Sequence, residues 1–168
     1  MKKTLLFSLV IWLVGLGGAK AQCREYIEAI AESELEPYVL DGNFESPILS
    51  EGESVEFYRT FMSGLNYKID VYGMDMFFKE ITISEVEKKE NGKRVVKRVL
   101  FKNFGKNTED QIVTTSDGES FPLNGLTFYE FTPEHTMELL IKVKIVPFEG
   151  GGGFKLEGCL GILVGFSN

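Results

Sequence analysis

His135 is the only histidine in the chain, and Cys23 and Cys159 are the only cysteines. A Ser-His-Asp or Cys-His arrangement would have to run through that one imidazole. No G-x-S-x-G elbow is present to supply a serine nucleophile. His135 and Glu138 stand three apart at the entry to an alternating segment. A strand does not bring that spacing onto one face as a helix would, so His135 reads as a surface corner at Pro133-Glu134-His135. Paired carboxylates can hydrolyse glycosides without histidine. With 25 acidic residues, some pair will lie close by composition alone, and no spacing singles one out. No catalytic residue, metal ligand or cofactor is assigned on these grounds.

Calcium is the more reasonable metal chemistry, because it takes hard oxygen ligands from loops. Acidic clusters occur at Glu51/Glu53, Asp70/Asp75, Glu109/Asp110 and Asp117/Glu119, without an EF-hand pattern. A solvated acidic surface accounts for them more simply. Sugar recognition would need exposed aromatic platforms. Tyr58, Tyr72 and Tyr129 are the available rings, since the single tryptophan, Trp12, lies in a leader.

That leader is residues 1–21. Lys2 and Lys3 are followed by an apolar run from Leu5 to Leu16 and by Ala19-Lys20-Ala21, the pattern of a secretory signal peptide cut between Ala21 and Gln22. Removing it takes away three lysines and no acid, so the net charge moves from −7 to about −10. Such a chain repels nucleic acid and anionic membrane. The remaining 147 residues, 22–168, suit one domain with its own core. Export to the periplasm or the medium places two cysteines in an oxidising compartment, which reads as a Cys23–Cys159 disulfide.

The elements that carry these residues follow from hydrophobic period. Arg24 to Leu35 has helical spacing, with Tyr26, Ile27, Ile30 and Ala31 toward one side and Pro37 as the stop. From Tyr38 on, period two dominates. Ser54–Phe61 alternates, with Arg59 interrupting the apolar side near a sheet edge. Tyr67, Ile69 and Val71 alternate with Lys68, Asp70 and Tyr72, and Ile81 and Ile83 point inward from a segment at 77–87. Asn91-Gly92 predicts a two-residue type I′ hairpin that sets Glu90 opposite Lys93, Glu85 opposite Arg98 and Ile83 opposite Leu100. Short strands are expected at 112–115 and 127–131. Met137, Leu139, Ile141, Val143 and Ile145 form one apolar face, and Leu160, Ile162, Val164 and Phe166 another. With Gly150–Gly153 between them, these two arms read as a closing β-hairpin. Gly161 and Gly165, opposite the apolar face of the second arm, call for something packed close against them.

Two stretches carry a family resemblance. Ser63-Gly64-Leu65-Asn66-Tyr67-Lys68-Ile69-Asp70-Val71 and Phe131-Thr132-Pro133-Glu134-His135-Thr136-Met137-Glu138-Leu139 resemble the corresponding strand entries of bacterial pre-peptidase C-terminal domains. The similarity spans residues 53–86 and 128–166. It implies a jelly-roll-like β-sandwich of a secreted protein with no catalytic residues of its own, in a family some of whose members bind calcium or extracellular polymers. This chain departs from the pattern in its N-terminal helix, its disulfide and its charged hairpin at Asn91.

The expectation is therefore an all-β, jelly-roll-like antiparallel sandwich with one short N-terminal helix. Its role is non-catalytic binding or structure, with a protein or an extracellular polymer as partner. A carbohydrate- or calcium-binding module is the first rival and a small secreted hydrolase the second. A tyrosine platform would favour the module, and a pocket joining two carboxylates the hydrolase.

Overall fold

Strands here are built from alternation, and the alternation divides them between two layers. The computed structural model describes residues 18–74, 77–105, 111–114, 118–147 and 156–168; the expected leader up to residue 17 and the glycine run at 150–153 lie outside the described residues. Helix α1 (Gly18–Leu35) comes first, followed by β1 (Val39–Leu40), β2 (Ile48–Ser50), β3 (Ser54–Phe61), β4 (Asn66–Tyr72), β5 (Lys79–Lys88) and β6 (Arg94–Lys102). Then come β7 (Ile112–Thr114), β8 (Ser120–Pro122), β9 (Phe128–Phe131), β10 (Met137–Ile145), β11 (Glu157–Cys159) and β12 (Gly161–Ser167). One four-stranded sheet has the order β1-β12-β4-β9 and the other β3-β10-β5-β6. The pairs β11-β2 and β7-β8 stand apart, and every pairing is antiparallel. The all-β sandwich with one helix is thus the fold.

Ile69 and Val71 of β4 and Ile162 and Val164 of β12 meet Ile81 and Ile83 of β5 and Leu139, Ile141 and Val143 of β10 in one buried cluster between the sheets. These side chains are at most 1% exposed, as the period-two reading requires. The two long C-terminal arms do not form a hairpin, however. β10 pairs with β3 and β5, whereas β12 pairs with β1 and β4. Each is an inner strand of a different sheet, and they face one another across the core. Both arms carry an apolar face, and periodicity alone cannot tell two strands that pair from two that pack.

The helix forms a third layer. Ile27, Ala31 and Leu35 are fully buried against Leu163 and Phe44 on the outer face of the β12 sheet. Their spacing of four is one helix face. Tyr26, one residue from Ile27 and so about 100° around the helix, is 54% exposed, not buried as expected. α1 also begins at Gly18, six residues before the expected start. The two glycines of β12 explain its close approach. A Cβ on Gly161 would stand 2.5 Å from Ile27 Cγ2, and one on Gly165 would stand 2.7 Å from Tyr38 Cβ. Cys23 on α1 and Cys159 on β11 are joined in a disulfide across 136 positions, with their Cα atoms 5.4 Å apart. Cys159 therefore sits just before β12 rather than within it.

The charged hairpin also differs in detail. Gly92 N–H donates to Lys89 O at 2.8 Å and Lys89 N–H to Lys93 O at 3.0 Å. Gly92 has φ of 79°, while Asn91 is not in the positive region. This is a three-residue loop ending in a left-handed glycine, not a type I′ turn, because the turn closes one residue earlier. The odd loop shifts the register by one residue; an irregularity between Glu85 and Val86 restores it, and a second between Ile83 and Ser84 shifts it again. Glu85 is opposite Arg98 as expected, but Ile83 lies opposite Phe101 rather than Leu100.

Candidate functional site

β9 ends one sheet and β6 ends the other, and the two edges lie on the same side of the sandwich. Between them opens a cleft of about 850 Å³. Leu100, Phe101 and Lys102 come from β6 and all four residues of β9 line the other wall. Val113 of β7 and Leu123 and Leu126 from the turn after β8 close one side. Phe128 and Glu130 face outward from β9, and Tyr129 and Phe131 face the core, so the cleft wraps the edge of that strand.

An aromatic ladder builds its floor. Ring centroids run Phe61 to Tyr67 at 4.9 Å, Phe61 to Phe131 at 5.2 Å, Phe131 to Tyr129 at 5.2 Å and Tyr129 to Phe101 at 5.1 Å. Edge-to-face and offset arrangements at these separations add to the apolar burial. Burial pushes the Tyr129 hydroxyl up from its ordinary value. Asn103, 2% exposed, ties the floor to the sheet. Its Oδ1 accepts from Ile81 N–H at 2.7 Å, and its Nδ2 donates to Lys79 O at 2.8 Å and to Leu126 O at 3.0 Å. Such a satisfied buried amide positions three chain segments at once. No sequence pattern marked it.

Of the expected platforms, Tyr129 alone lines this cleft, half-buried and stacked on Phe131 with an angle of 14° between the rings. Tyr58 is exposed on the far face of the other sheet, with the Arg94 guanidinium 4.5 Å above its ring. Tyr72 packs beside α1. The cleft's described lining contains one carboxylate, Glu130. No acid–base pair of carboxylates is assembled among those lining residues.

The acidic clusters fare differently from one another. Asp75, Glu109, Asp110 and Asp117 lie outside the described residues. Glu53 accepts a hydrogen bond from Ser50 N–H at 2.8 Å and closes a turn. Asp70 is 6% exposed, and burial raises its carboxyl to about 6 against the opposing pull of Lys68, whose Nζ lies 3.7 Å away. Among the described residues, no three His, Cys, Asp or Glu side chains come together as a metal site.

Glu85 is the second buried acid, 3% exposed. Lys97 Nζ donates to its Oε1 at 2.6 Å and Arg98 Nε to its Oε2 at 2.6 Å. Consecutive residues of a regular strand point to opposite faces; the irregularity in β6 between the partners of Glu85 and Val86 lets both reach one carboxylate. The Lys97 hydrogen bond leads in holding the Glu85 carboxyl down to about 2. His135 Nε2 stands 3.5 Å from the same oxygen as Lys97 and is 55% exposed. A carboxylate already committed to two cations orients that imidazole weakly.

No protein-family model matches the chain, and no curated protein sequence matches it. Among solved structures, it is similar to PliG of Aeromonas hydrophila, a periplasmic lysozyme inhibitor of g-type lysozyme, with a TM-score of 0.43 and 6% identity over 79% of this chain and 90% of that one. Among the described residues, no helix is long and apolar enough to cross a membrane.

Proposed function

We propose that this chain is an exported, non-catalytic binding protein whose ligand site is the cleft between β6 and β9. The carrying observation is the cleft's composition. Its floor is aromatic and aliphatic, and its described lining offers one carboxylate and no histidine. That set can hold and orient a ligand by burial and a few polar groups, but it lacks the second carboxylate that acid–base hydrolysis needs. The Cys23–Cys159 disulfide supports an oxidising compartment, in line with the leader at residues 1–21. A jelly-roll-like relationship to pre-peptidase C-terminal domains belongs to the same reading, with an extracellular polymer or a protein segment as the ligand class.

The test uses 1-anilinonaphthalene-8-sulfonate as the probe. The native protein should give saturable, single-site fluorescence enhancement at neutral pH. Leu123→Asp, which places a negative charge in a half-buried wall position and so repels the sulfonate, should abolish it while leaving the melting temperature within a few degrees. Enhancement unchanged in that variant refutes the site. Turnover of a chromogenic glycoside or ester that disappears in Glu130→Gln refutes the non-catalytic reading.

A further inference from the structure

The two sheets are finished differently on their outer faces. α1 covers the β12 sheet, burying Leu163 completely. The outer face of the β3-β10-β5-β6 sheet carries Tyr58, Val99 and Val96 at 42%, 54% and 52% exposure. The register sets these in two adjacent rows across the strands. Tyr58, Leu140, Ser84 and Val99 form one row, and Thr60, Glu138, Val86 and Val96 the next. Exposed apolar groups thus stand at both edges of one sheet face, with half-buried Leu140 and buried Val86 between them, and mark it as a candidate interaction surface.

The rim says which surface fits. The next row runs Glu56, Lys142, Thr82, Lys102, and beyond it stand Lys144 and Glu80. Glu56 lies at the β3 edge with Lys142 Nζ 3.5 Å from its carboxylate, and Lys102 lies at the β6 edge with its Nζ 4.1 Å over the Phe104 ring. We infer that this face docks a second copy of the chain about a two-fold axis that lies in the interface parallel to the strands. That operation lays β3 of each copy over β6 of the other and β10 over β5. Tyr58 then covers Val99 of the second copy, Thr60 covers Val96, Glu138 covers Val86 and Glu56 meets Lys102, while the Lys144–Glu80 pair, 3.4 Å apart within each copy, meets the same pair in reverse order, each contact occurring twice. Rotation about the perpendicular in-plane axis instead sets Arg94 against Lys102, which like charge opposes. Arg94 is also fixed in place, with Nε 2.8 Å and its terminal nitrogen 2.9 Å from the Glu138 oxygens, and with its plane over Tyr58. A preorganised Tyr–Arg pair within the contact is what such interfaces favour. Sheets packed this way keep their strands within about 30° of each other. Four strands spaced about 4.8 Å apart and about eight residues long cover roughly 500 Å². The two copies together bury about 1,000 Å², the lower limit for a specific interface, so the dimer is weak and concentration-dependent.

Sedimentation equilibrium of the full exported protein over micromolar to millimolar concentration tests this. Wild type should pass from monomer to dimer and stop there, since a two-fold contact closes. Val99→Asp should weaken the dimer at least about tenfold, with circular dichroism and melting temperature confirming the fold. Glu56→Lys and Lys102→Glu should each weaken it, and the double swap should restore it. Within one chain these two residues stand on opposite edge strands, about 14 Å apart, so rescue requires contact between copies. A protein that stays monomeric at millimolar concentration, a dimer indifferent to Val99→Asp, or single swaps without rescue would each overturn the inference. The probe-binding cleft is read separately, because Val99→Asp leaves the dye signal unchanged if that site stands alone.

Discussion

Gly161→Ala offers the sharpest test of how α1 is seated. The backbone at Gly161 is not in the left-handed region, so alanine is conformationally acceptable there. On that ground alone it would add about 0.4–1 kcal/mol by narrowing the unfolded ensemble. The new Cβ, however, would stand 2.5 Å from Ile27 Cγ2 and 3.1 Å from its Cδ1. Carbon atoms pack best at about 3.5–4.0 Å, so the helix must lift by about 1 Å or Ile27 must leave its rotamer. Ile27 is fully buried, and such overpacking costs about 1–3 kcal/mol. The clash outweighs the backbone gain, leaving a net loss of about 1–2 kcal/mol. In a domain of this size that is roughly 3–8 °C in melting temperature. Ile27→Leu removes the β-branch methyl at nearly constant volume. In a double-mutant cycle followed by urea denaturation, the pair should lose less than the two single losses combined, by about 0.5 kcal/mol or more. Gly42→Ala, with nothing within 4 Å of its Cβ, is the control and should be neutral or slightly stabilising. A neutral Gly161→Ala, or strict additivity with Ile27→Leu, would show that α1 does not lie against β12 as described.

Two other outcomes follow from the same packing and from the two buried acids. Cys23→Ser with Cys159→Ser releases a constraint across 136 positions, and should cost about 2–5 kcal/mol while keeping β-type circular dichroism; melting identical to wild type would refute a structural role for the bond. Asp70 and Glu85 should shape the pH profile in opposite senses. The Asp70 carboxyl is raised from 3.8 to about 6, so its contribution is present below about pH 4 and is lost as pH rises to about 6, by about 3 kcal/mol at most. Glu85 is lowered from 4.5 to about 2, so its contribution is present above about pH 4.5 and is lost as pH falls to about 2. Melting curves across this range should flatten between pH 4 and 6 in Asp70→Asn, and lose part of the acid limb in Glu85→Gln; unchanged slopes in either variant count against the assigned environment.

Much of the architecture is legible in residue type alone. Ser54–Phe61 and Met137–Ile145 coincide with β3 and β10, because a half-buried strand writes its period directly into its residues. Arg59 sits on an edge strand and finds Asp41, as an ionic break in an apolar face requires. The glycines at 161 and 165 call for a close neighbour, and Ile27 of α1 stands against the first and Tyr38, just after α1, with Leu35 against the second. The cysteines, being only two, had one pairing available.

What periodicity leaves open is which strand lies beside which. An apolar face records that a strand is covered, not what covers it, so the two C-terminal arms read as a hairpin while in fact each is an inner strand of its own sheet. Register behaves in the same way. The Asn91-Gly92 turn signal is local, but the loop closes at Lys89, and the ladder irregularity between Glu85 and Val86 then decides that Lys97 and Arg98 share Glu85. The cleft is further removed from sequence, because its walls are the edges of two sheets and the turn at Leu126, which Asn103 ties to β5 through three hydrogen bonds spanning 22 to 24 positions. Local chemistry determined the strands, the helix and the disulfide of this protein. Their pairing, and with it the cleft and the bare face around Tyr58, came only from long-range packing, in which each strand's choice depends on every other.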